Sequence, residues 1–213
     1  MKSIPKSGRY LPNKLGYVTL LSLQDVMGKN GVNAVLNLAN LRSWINAYPS
    51  DTLERHVDFA EYSAINGALD DMYGPRGARG LAMRAGRATF DQVLRNFNAL
   101  ASVGDFAFKL MSPHAKLKFG LSAIGRILSQ VSDQHVTITE QPEAYLYTVD
   151  QCSVCWGRHA EAPSCNILLG MLQSSVKLIS GGSEFSIVET RCCAVGDPVC
   201  EFTILKEPLK PEL

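Results

Sequence analysis

Two hydrophobic patterns divide the chain near residue 133. Before it, apolar side chains recur every three or four positions, as between Leu23 and Leu41, which is the spacing of one face of an amphipathic helix. After Asp133, apolar and polar residues alternate from His135 to Thr139, which is the period of a half-buried strand. The pattern predicts a helical first part followed by a mixed part of strands and a helix.

Breaks and caps divide the first part into predicted helices. Ser22 begins the first helix and Pro49 closes that element, and Thr52 is the expected cap of a second helix that runs to about Tyr73. Gly74-Pro75 is a break, because proline cannot continue the preceding helical turn. The remaining helices are expected at 75–97, 103–111 and 113–131.

The second part predicts an antiparallel sheet with one helix. A hairpin is expected from 135–139 and 144–149, a helix at 164–179, and two further strands at 183–191 and 199–205. The fold class is therefore α+β, with a helical layer packed on a small antiparallel sheet. We expect an N-terminal arm (1–20), one domain (21–206, helical to 133 and metal-bearing from 134) and a tail (207–213).

Composition and charge exclude several classes of protein. Apolar residues make up 46% of the 213 and charged residues 19%, which argues against intrinsic disorder. The net charge of +1 gives no basic footprint for nucleic acid. No apolar run is long enough for a membrane span, and the N-terminus does not resemble a secretory signal, so we expect a cytoplasmic protein.

The cysteines are the main chemical signal, because all six fall in the last third of the chain. By period 2, Glu189 shares a strand face with two apolar residues, and a carboxylate on such a face needs a cation or strong hydrogen bonds. The hairpin can bring Glu189, Cys192 and Cys200 together, and Cys165 lies at the start of the preceding helix. These four donors would suit a closed, tetrahedral and therefore structural zinc site.

Other interpretations of the cysteines stay open at this point. Buried free cysteines are common core residues, and the spacing alone does not decide between core and metal. A rival ligand set uses the CxxC pair Cys152 and Cys155 with His159. The CxxC pair could also complete a second site or pack under its loop. Cys193 is expected to point away from Cys192.

Residues 165–202 resemble the signature of the 4-vinyl reductase domain family. That signature has a Cys-led helix with a glycine, then V-E-x-x-C, then A-x-G-D-x-x-C-x-F; its matching residues are Cys165, Gly170, Val188, Glu189, Cys192, Ala194, Gly196, Asp197, Cys200 and Phe202. The resemblance implies a Bet3-like ligand-binding fold, shared by proteins of NO signalling and Golgi transport. It also implies structural zinc on Cys165, Glu189, Cys192 and Cys200.

The resemblance further implies a role in bacteriochlorophyll synthesis and photosynthesis. The first hypothesis is a zinc-stabilised protein that binds a chlorophyll-type tetrapyrrole precursor. The second is an 8-vinyl (formerly 4-vinyl) reductase of divinyl chlorophyllide that uses an external electron donor. The third is a scaffold or sensor module for aromatic or hydrocarbon ligands.

No motif in the sequence supports a reduction reaction by this chain alone. The string Gly74 to Gly80 is spaced G-x-x-G-x-x-G and follows a helix, whereas a nicotinamide site needs G-x-G-x-x-G after a strand. There is one CxxC, which does not give iron–sulfur spacing, and flavin binding has no signal. Whether the chain is an enzyme is left open, and a carrier fits better.

A hydrophobic small molecule, possibly a tetrapyrrole, is the expected partner, with a homodimer and a pathway enzyme as further partners. Apolar pockets are lined mainly by aromatic and aliphatic side chains, with a few polar groups that fix the ligand. The candidates here are Trp44, Met83, Arg87, Phe90, Phe106, Phe108, Met111 and His114. Arg87 would pair with a propionate and His114 would ligate a central magnesium ion.

Overall fold

A computed structural model describes residues 4–96 and 111–210. Its helices and strands, in chain order, are β1 (Tyr10–Pro12), α1 (Asn13–Leu38), β2 (Arg55–Asp58), α2 (Phe59–Asn96), α3 (Pro113–Val131), β3 (His135–Glu140), β4 (Ala144–Asp150), α4 (Asn166–Ile179), β5 (Phe185–Arg191) and β6 (Val199–Pro208). Two short 3-10 helices, Arg42–Trp44 and Cys193–Val195, lie in the connections. The α+β prediction of a helical layer on a small antiparallel sheet is confirmed.

The N-terminal elements differ from the sequence-based expectation. The helix expected from Ser22 begins earlier, at Asn13, and the helix expected from Thr52 begins later, at Phe59. Between them, β2 pairs antiparallel with β1, with Leu11 opposite Val57. The two strands are more than 40 residues apart in sequence, so local periodicity does not reveal their pairing.

Glycines kink the two long helices. Gly28 in α1 (φ 76°, ψ 161°) and Gly74 in α2 (φ 67°, ψ 162°) have non-helical backbone angles. A left-handed φ carries little cost for glycine because it has no Cβ. The break predicted at Gly74-Pro75 is confirmed as a kink within one long helix.

The main sheet is antiparallel with strand order β3-β4-β6-β5. The predicted hairpin forms, with Val136 opposite Val149, and the two later strands pair so that Ile187 faces Ile204. On β6, Cys200, Phe202 and Ile204 are fully buried on one face, because alternate residues of a strand point to the same side of the sheet. This face of the sheet packs in the core beneath the helices.

Close helix contacts join the helical half to the sheet half. A Cβ on Gly86 of α2 would lie 2.1 Å from the carbonyl oxygen of Ile167, and a Cβ on Gly170 of α4 would lie 2.2 Å from that of Met83. Each helix therefore occupies the space where the other would carry a side chain. On α3, Gly120 and Gly125 face the side chains of Ile179 and Val136.

Two sequence-based expectations stay predictions. The helix expected at 103–111 lies almost wholly outside the described residues, and the structure does not test the division into arm, domain and tail.

Among the residues that the structure describes, no helix is both long and apolar enough to cross a membrane.

Candidate functional site

Five buried cysteines and one buried glutamate meet at one point, which we call the thiol cluster: Cys152, Cys155, Cys165, Glu189, Cys192 and Cys200. The Sγ–Sγ distances are 3.7 Å for Cys165–Cys200, 3.8 Å for Cys165–Cys192 and 3.4 Å for Cys155–Cys200. All six cysteines of the chain are free thiols. Thiols packed this closely can share protons or bind a metal.

The hairpin and the start of α4 position four of these donors as the strand pattern predicted. Glu189 lies on the buried face of β5, and its Oε2 accepts a 2.8 Å hydrogen bond from the backbone N–H of Cys165. The N–H of Cys192 donates to Asp197 Oδ2 at 2.8 Å, which fixes the turn that precedes Cys200. The ligating atoms of Cys165, Glu189, Cys192 and Cys200 all lie within 4.8 Å of one another.

The CxxC pair belongs to the same cluster, which the sequence did not reveal. Cys152 Sγ lies 3.7 Å from Cys165 Sγ, and Cys155 Sγ lies 3.4 Å from Cys200 Sγ. His159, the expected partner of the pair, is exposed. The signal that was available is the CxxC spacing itself, but the path of the loop that carries it depends on tertiary packing.

Electrostatics in the cluster favour proton sharing in the absence of a cation. Burial raises the pKa of the Cys165 thiol well above its ordinary value. The pKa of Cys155 is lowered because neighbouring thiols, Cys152 first, donate to its sulfur. Burial, with the charge of Cys192 second, raises the pKa of Glu189 to about 8.

Two arginines close in sequence to the cluster residues, Arg158 and Arg191, form contacts with other parts of the chain. Arg158 forms an ion pair with Asp70 of α2 and donates to the carbonyl of Val154, which ties the CxxC loop to the helical half. Arg191 is exposed and lies 3.9 Å from Glu201. The backbone N–H of Arg158 donates to the carbonyl of Cys155 at 3.1 Å, but among the described residues neither arginine side chain makes a hydrogen bond or ion pair to a cysteine side chain or to Glu189.

A second feature is an apolar cavity between α2, α3, α4 and the sheet. It encloses about 840 Å³ of space free of protein atoms, including its opening to solvent. Carbon-rich side chains form nearly all of the wall: Pro12, Leu15, Phe90, Val93, Ile124, Ile127, Leu128, Val131, Tyr147, Leu168, Met171, Leu172 and Ser175. Ser175 donates to the carbonyl of Leu172 at 2.8 Å, so its hydroxyl is already satisfied.

The structure brings one of the eight predicted pocket residues, Phe90, into this wall. Among the others, Trp44 and Met83 are partly buried elsewhere, Arg87 and His114 are exposed, and Met111 is 37% exposed. Phe106 and Phe108 lie outside the described residues. Sequence reasoning missed the aliphatic residues of α3 and α4, whose signal is an apolar helix face and does not distinguish cavity wall from core.

Comparison with known proteins gives the fold. No protein-family model matches the sequence, and no curated protein matches it. An Fe(II) unliganded H-NOX protein from K. algicida superposes with a TM-score of 0.60 at 11% identity, over 94% of this chain and 97% of its own. A Tt H-NOX variant gives 0.58 at 12% identity, over 95% and 99%. An oxygen-binding H-NOX domain related to soluble guanylate cyclases gives 0.54 at 14% identity, over 92% and 95%.

These neighbours correct the family expectation and what depended on it. The 4-vinyl reductase family is wrong, and with it the roles in chlorophyll-precursor binding, vinyl reduction, bacteriochlorophyll synthesis and photosynthesis. The motif misled because its residues also serve local geometry: Gly196 has φ 101° and Asp197 caps the same turn. The expectation of a structural zinc cofactor is also wrong, because the neighbours are described with Fe(II) and heme.

The cavity residues do not fit heme. All four histidines, His56, His114, His135 and His159, are exposed, and none lines the cavity. The described wall also contains no arginine or lysine that could pair with heme propionates. Since sequence identities of 11–14% establish shared architecture only, the chain has an H-NOX-like α+β fold with its own cavity chemistry.

Proposed function

We propose that this chain is a sensor module that binds an uncharged, apolar small molecule in the cavity between α2, α3 and α4. The observation that carries the proposal is the cavity itself, whose described wall is almost entirely carbon. Of the functions considered from the sequence, the sensor of aromatic or hydrocarbon ligands is the one that the neighbours favour.

The wall defines the class of ligand. A charged ligand would lose its hydration without gaining a partner, because the described lining contains no ionisable acid or base apart from the phenol of Tyr147. Burial raises the pKa of that phenol, so it stays neutral. Phe90, Tyr147 and Met171 offer ring edges and a polarizable sulfur, which suit a flat aromatic molecule.

Helix α4 supports a sensing role over simple storage. Four of the cavity residues lie on α4, and Cys165 of the thiol cluster is the N-cap residue of the same helix. One helix therefore contacts both the bound ligand and the thiol cluster, which couples the two sites without requiring that α4 slide along α2. A response of this kind requires that the ligand bind two arrangements of the protein with different affinities.

Calorimetric titration with neutral aromatic compounds tests the proposal. Naphthalene should bind one site per chain and raise the melting temperature, whereas naphthoate should bind at least tenfold more weakly because its carboxylate would be buried unpaired. Equal binding of the two compounds, or no binding of either, would contradict the proposal.

A matched pair of variants locates the site. Leu172→Trp places a large ring in the cavity and should abolish naphthalene binding, whereas Leu178→Trp makes the same change at a 46% exposed position of α4 and should leave binding unchanged. Circular dichroism of both variants checks that they fold. Unaltered binding by a folded Leu172→Trp protein would move the site elsewhere.

Two further expectations belong to the same proposal. A cytoplasmic location is supported by the six free thiols, because reducing compartments keep thiols reduced. A homodimer stays a prediction, which the mass of the native protein in solution tests.

A further inference from the structure

Two hydroxyl groups belong to the cavity wall, and they differ in their hydrogen bonding. Ser175 donates to the carbonyl of Leu172 at 2.8 Å, so its hydroxyl is occupied within its own helix. The phenol of Tyr147 lines the same cavity and makes no hydrogen bond to any residue that the structure describes. Tyr147 therefore brings an unpaired polar atom to a wall that is otherwise almost entirely carbon.

Two other buried tyrosines show how this chain ordinarily treats a buried phenol. Tyr62, Tyr145 and Tyr147 are 2%, 0% and 1% exposed. The hydroxyl of Tyr62 bonds to that of Thr19 at 3.0 Å, and Tyr145 donates to the carbonyl of His114 at 3.0 Å. A buried O–H without a partner costs free energy, so buried phenols are usually paired. Of these three tyrosines, the one that lines the cavity lacks a partner in the described part of the chain, which indicates that its partner is a ligand.

Strand β4 holds the phenol of Tyr147 in a defined position. Tyr147 lies opposite Ile138 of β3 on one side and Phe202 of β6 on the other, so its backbone is in the interior of the sheet. By the two-residue period of a strand, its side chain is on the buried face together with that of Tyr145. A donor that is held in place before the ligand arrives loses little conformational entropy on binding.

The chemistry of the wall selects the group that meets this phenol. Burial raises the pKa of Tyr147, so the phenol keeps its proton and can donate it. A carboxylate would bring a charge that one hydrogen bond does not compensate in a wall of carbon. A ligand hydroxyl could accept from Tyr147, but its own proton would then face carbon. A carbonyl oxygen is neutral and only accepts, so it matches a single donor.

We propose that Tyr147 is the specificity-determining residue of the cavity, and that its hydroxyl donates a hydrogen bond to a carbonyl oxygen on an otherwise apolar aromatic ligand. This inference rests on the proposed function of the cavity and adds the one polar group that the ligand carries. A pure hydrocarbon still fills the carbon wall but leaves the phenol unpaired. An aromatic ketone or aldehyde fills the wall and also pairs the phenol.

A matched pair of probes and a matched pair of variants test the inference. Acetophenone and isopropenylbenzene have nearly the same shape, and differ in that a methylene group replaces the carbonyl oxygen. Tyr147→Phe should weaken the binding of acetophenone by about tenfold and change the binding of isopropenylbenzene by less than about twofold. Calorimetric titration of the full chain measures each dissociation constant. Comparing one probe between two proteins cancels the hydration of the probe itself.

Tyr145→Phe is the control, because it removes a hydroxyl from the same strand face at a residue that does not line the cavity. It should leave the binding of both probes unchanged. If Tyr147→Phe weakened both probes equally, or neither, the inference would be overturned while the cavity remained a binding site. If neither probe bound the unaltered protein, the inference and the proposed function would both fall.

The infrared carbonyl band of isotope-labelled acetophenone gives a second readout that a structural role would not move. Donation from Tyr147 weakens the carbonyl bond, so the band should lie at a lower frequency in the unaltered protein than in an apolar solvent. In Tyr147→Phe it should return to the frequency seen in that solvent. A band at the solvent frequency in the unaltered protein would contradict the inference, and this measurement decides even if the variant does not fold.

Discussion

At the scale of single residues, two glycines determine how closely the halves of the molecule approach. The positions of Gly86 and Gly170 leave no room for a methyl group, since the obstructing atoms belong to the opposing backbone. Backbone cannot rotate away as a side chain can, so relief requires that the helices separate.

Substitution of these glycines should therefore destabilise the protein. Gly170→Ala should lower the free energy of unfolding by about 1–3 kcal/mol through overpacking, despite the better helix propensity of alanine. Gly80→Ala is the control, because its Cβ would meet nothing within 4 Å and it lies exposed on α2. Gly80→Ala should stabilise by up to about 1 kcal/mol. Urea denaturation measures both, and equal effects would contradict the close approach.

The stability that Asp58 contributes to the fold depends on pH. Burial raises the pKa of Asp58. The hydrogen bonds that its carboxylate accepts from the N–H groups of Ala60, Ser7 and Gly8 and from the Ser7 hydroxyl together lower the pKa by more, so the net shift is downward. A depressed folded-state pKa gives stability that is present above the unfolded pKa of about 3.9 and is lost as the pH falls through the folded pKa.

Asp58→Asn should therefore be less stable than the unaltered protein at pH 7, and this difference in stability should shrink below about pH 4. We expect a loss of about 1–3 kcal/mol at neutral pH, because an amide nitrogen replaces an acceptor. Thermal melts of both proteins across this pH range measure the gap. Asp91→Asn, at an exposed position of α2, should show no such gap. A gap for Asp58→Asn that widens towards acid would refute the assignment.

At the scale of elements, local signals predicted some boundaries and failed at others. Ser112 and Pro113 begin α3 where the sequence placed its start, because a cap and a proline at the first helical position act within one turn. The starts of α1 and α2 were misplaced because β1 pairs with β2 across more than 40 residues. Glu189 and Cys200 could be assigned to buried faces by period 2, whereas the CxxC loop joins them through tertiary packing.

The cap of α3 makes a testable contribution. The hydroxyl of Ser112 accepts a hydrogen bond from the N–H of Ala115 at 3.3 Å. Ser112→Ala should cost about 1 kcal/mol of stability, and Ser112→Asp, which retains an acceptor, should cost much less. Chemical denaturation of the three proteins compares them, and identical losses for both substitutions would show that the cap does not act through the hydrogen bond.

At the scale of the whole molecule, the α+β class followed from the change of periodicity, but the position of the cavity did not. Its wall combines α2, α3, α4 and one residue each of β1, α1 and β4, and only Phe90 among the predicted pocket residues belongs to it. An apolar helix face looks the same in sequence whether it meets another side chain or a space. The cavity therefore depends on how helices are spaced, which is a property of the assembled fold.

Unfolding should be a single cooperative event for the two halves. Trp44 lies in the helical half, and the indole of Trp156, beside the CxxC turn, donates to the carbonyl of Pro5 at 3.0 Å. Trp44→Phe and Trp156→Phe each leave one tryptophan as a fluorescent reporter. In each variant, the denaturant midpoint measured by fluorescence should equal the midpoint measured by circular dichroism. Midpoints that differ from the circular dichroism curve of the same variant would show that the halves unfold separately.

The reciprocal glycine contact also restricts how the protein can respond to a guest molecule. With each backbone lodged against the other at Gly86 and Gly170, α4 cannot slide along α2 by a turn without driving a side chain into a main chain. The neighbours of Gly120 and Gly125 on α3 are the side chains of Ile179 and Val136, which can change rotamer. Larger guest molecules should therefore be accommodated by an outward movement of α3, while α2 and α4 keep their positions relative to each other.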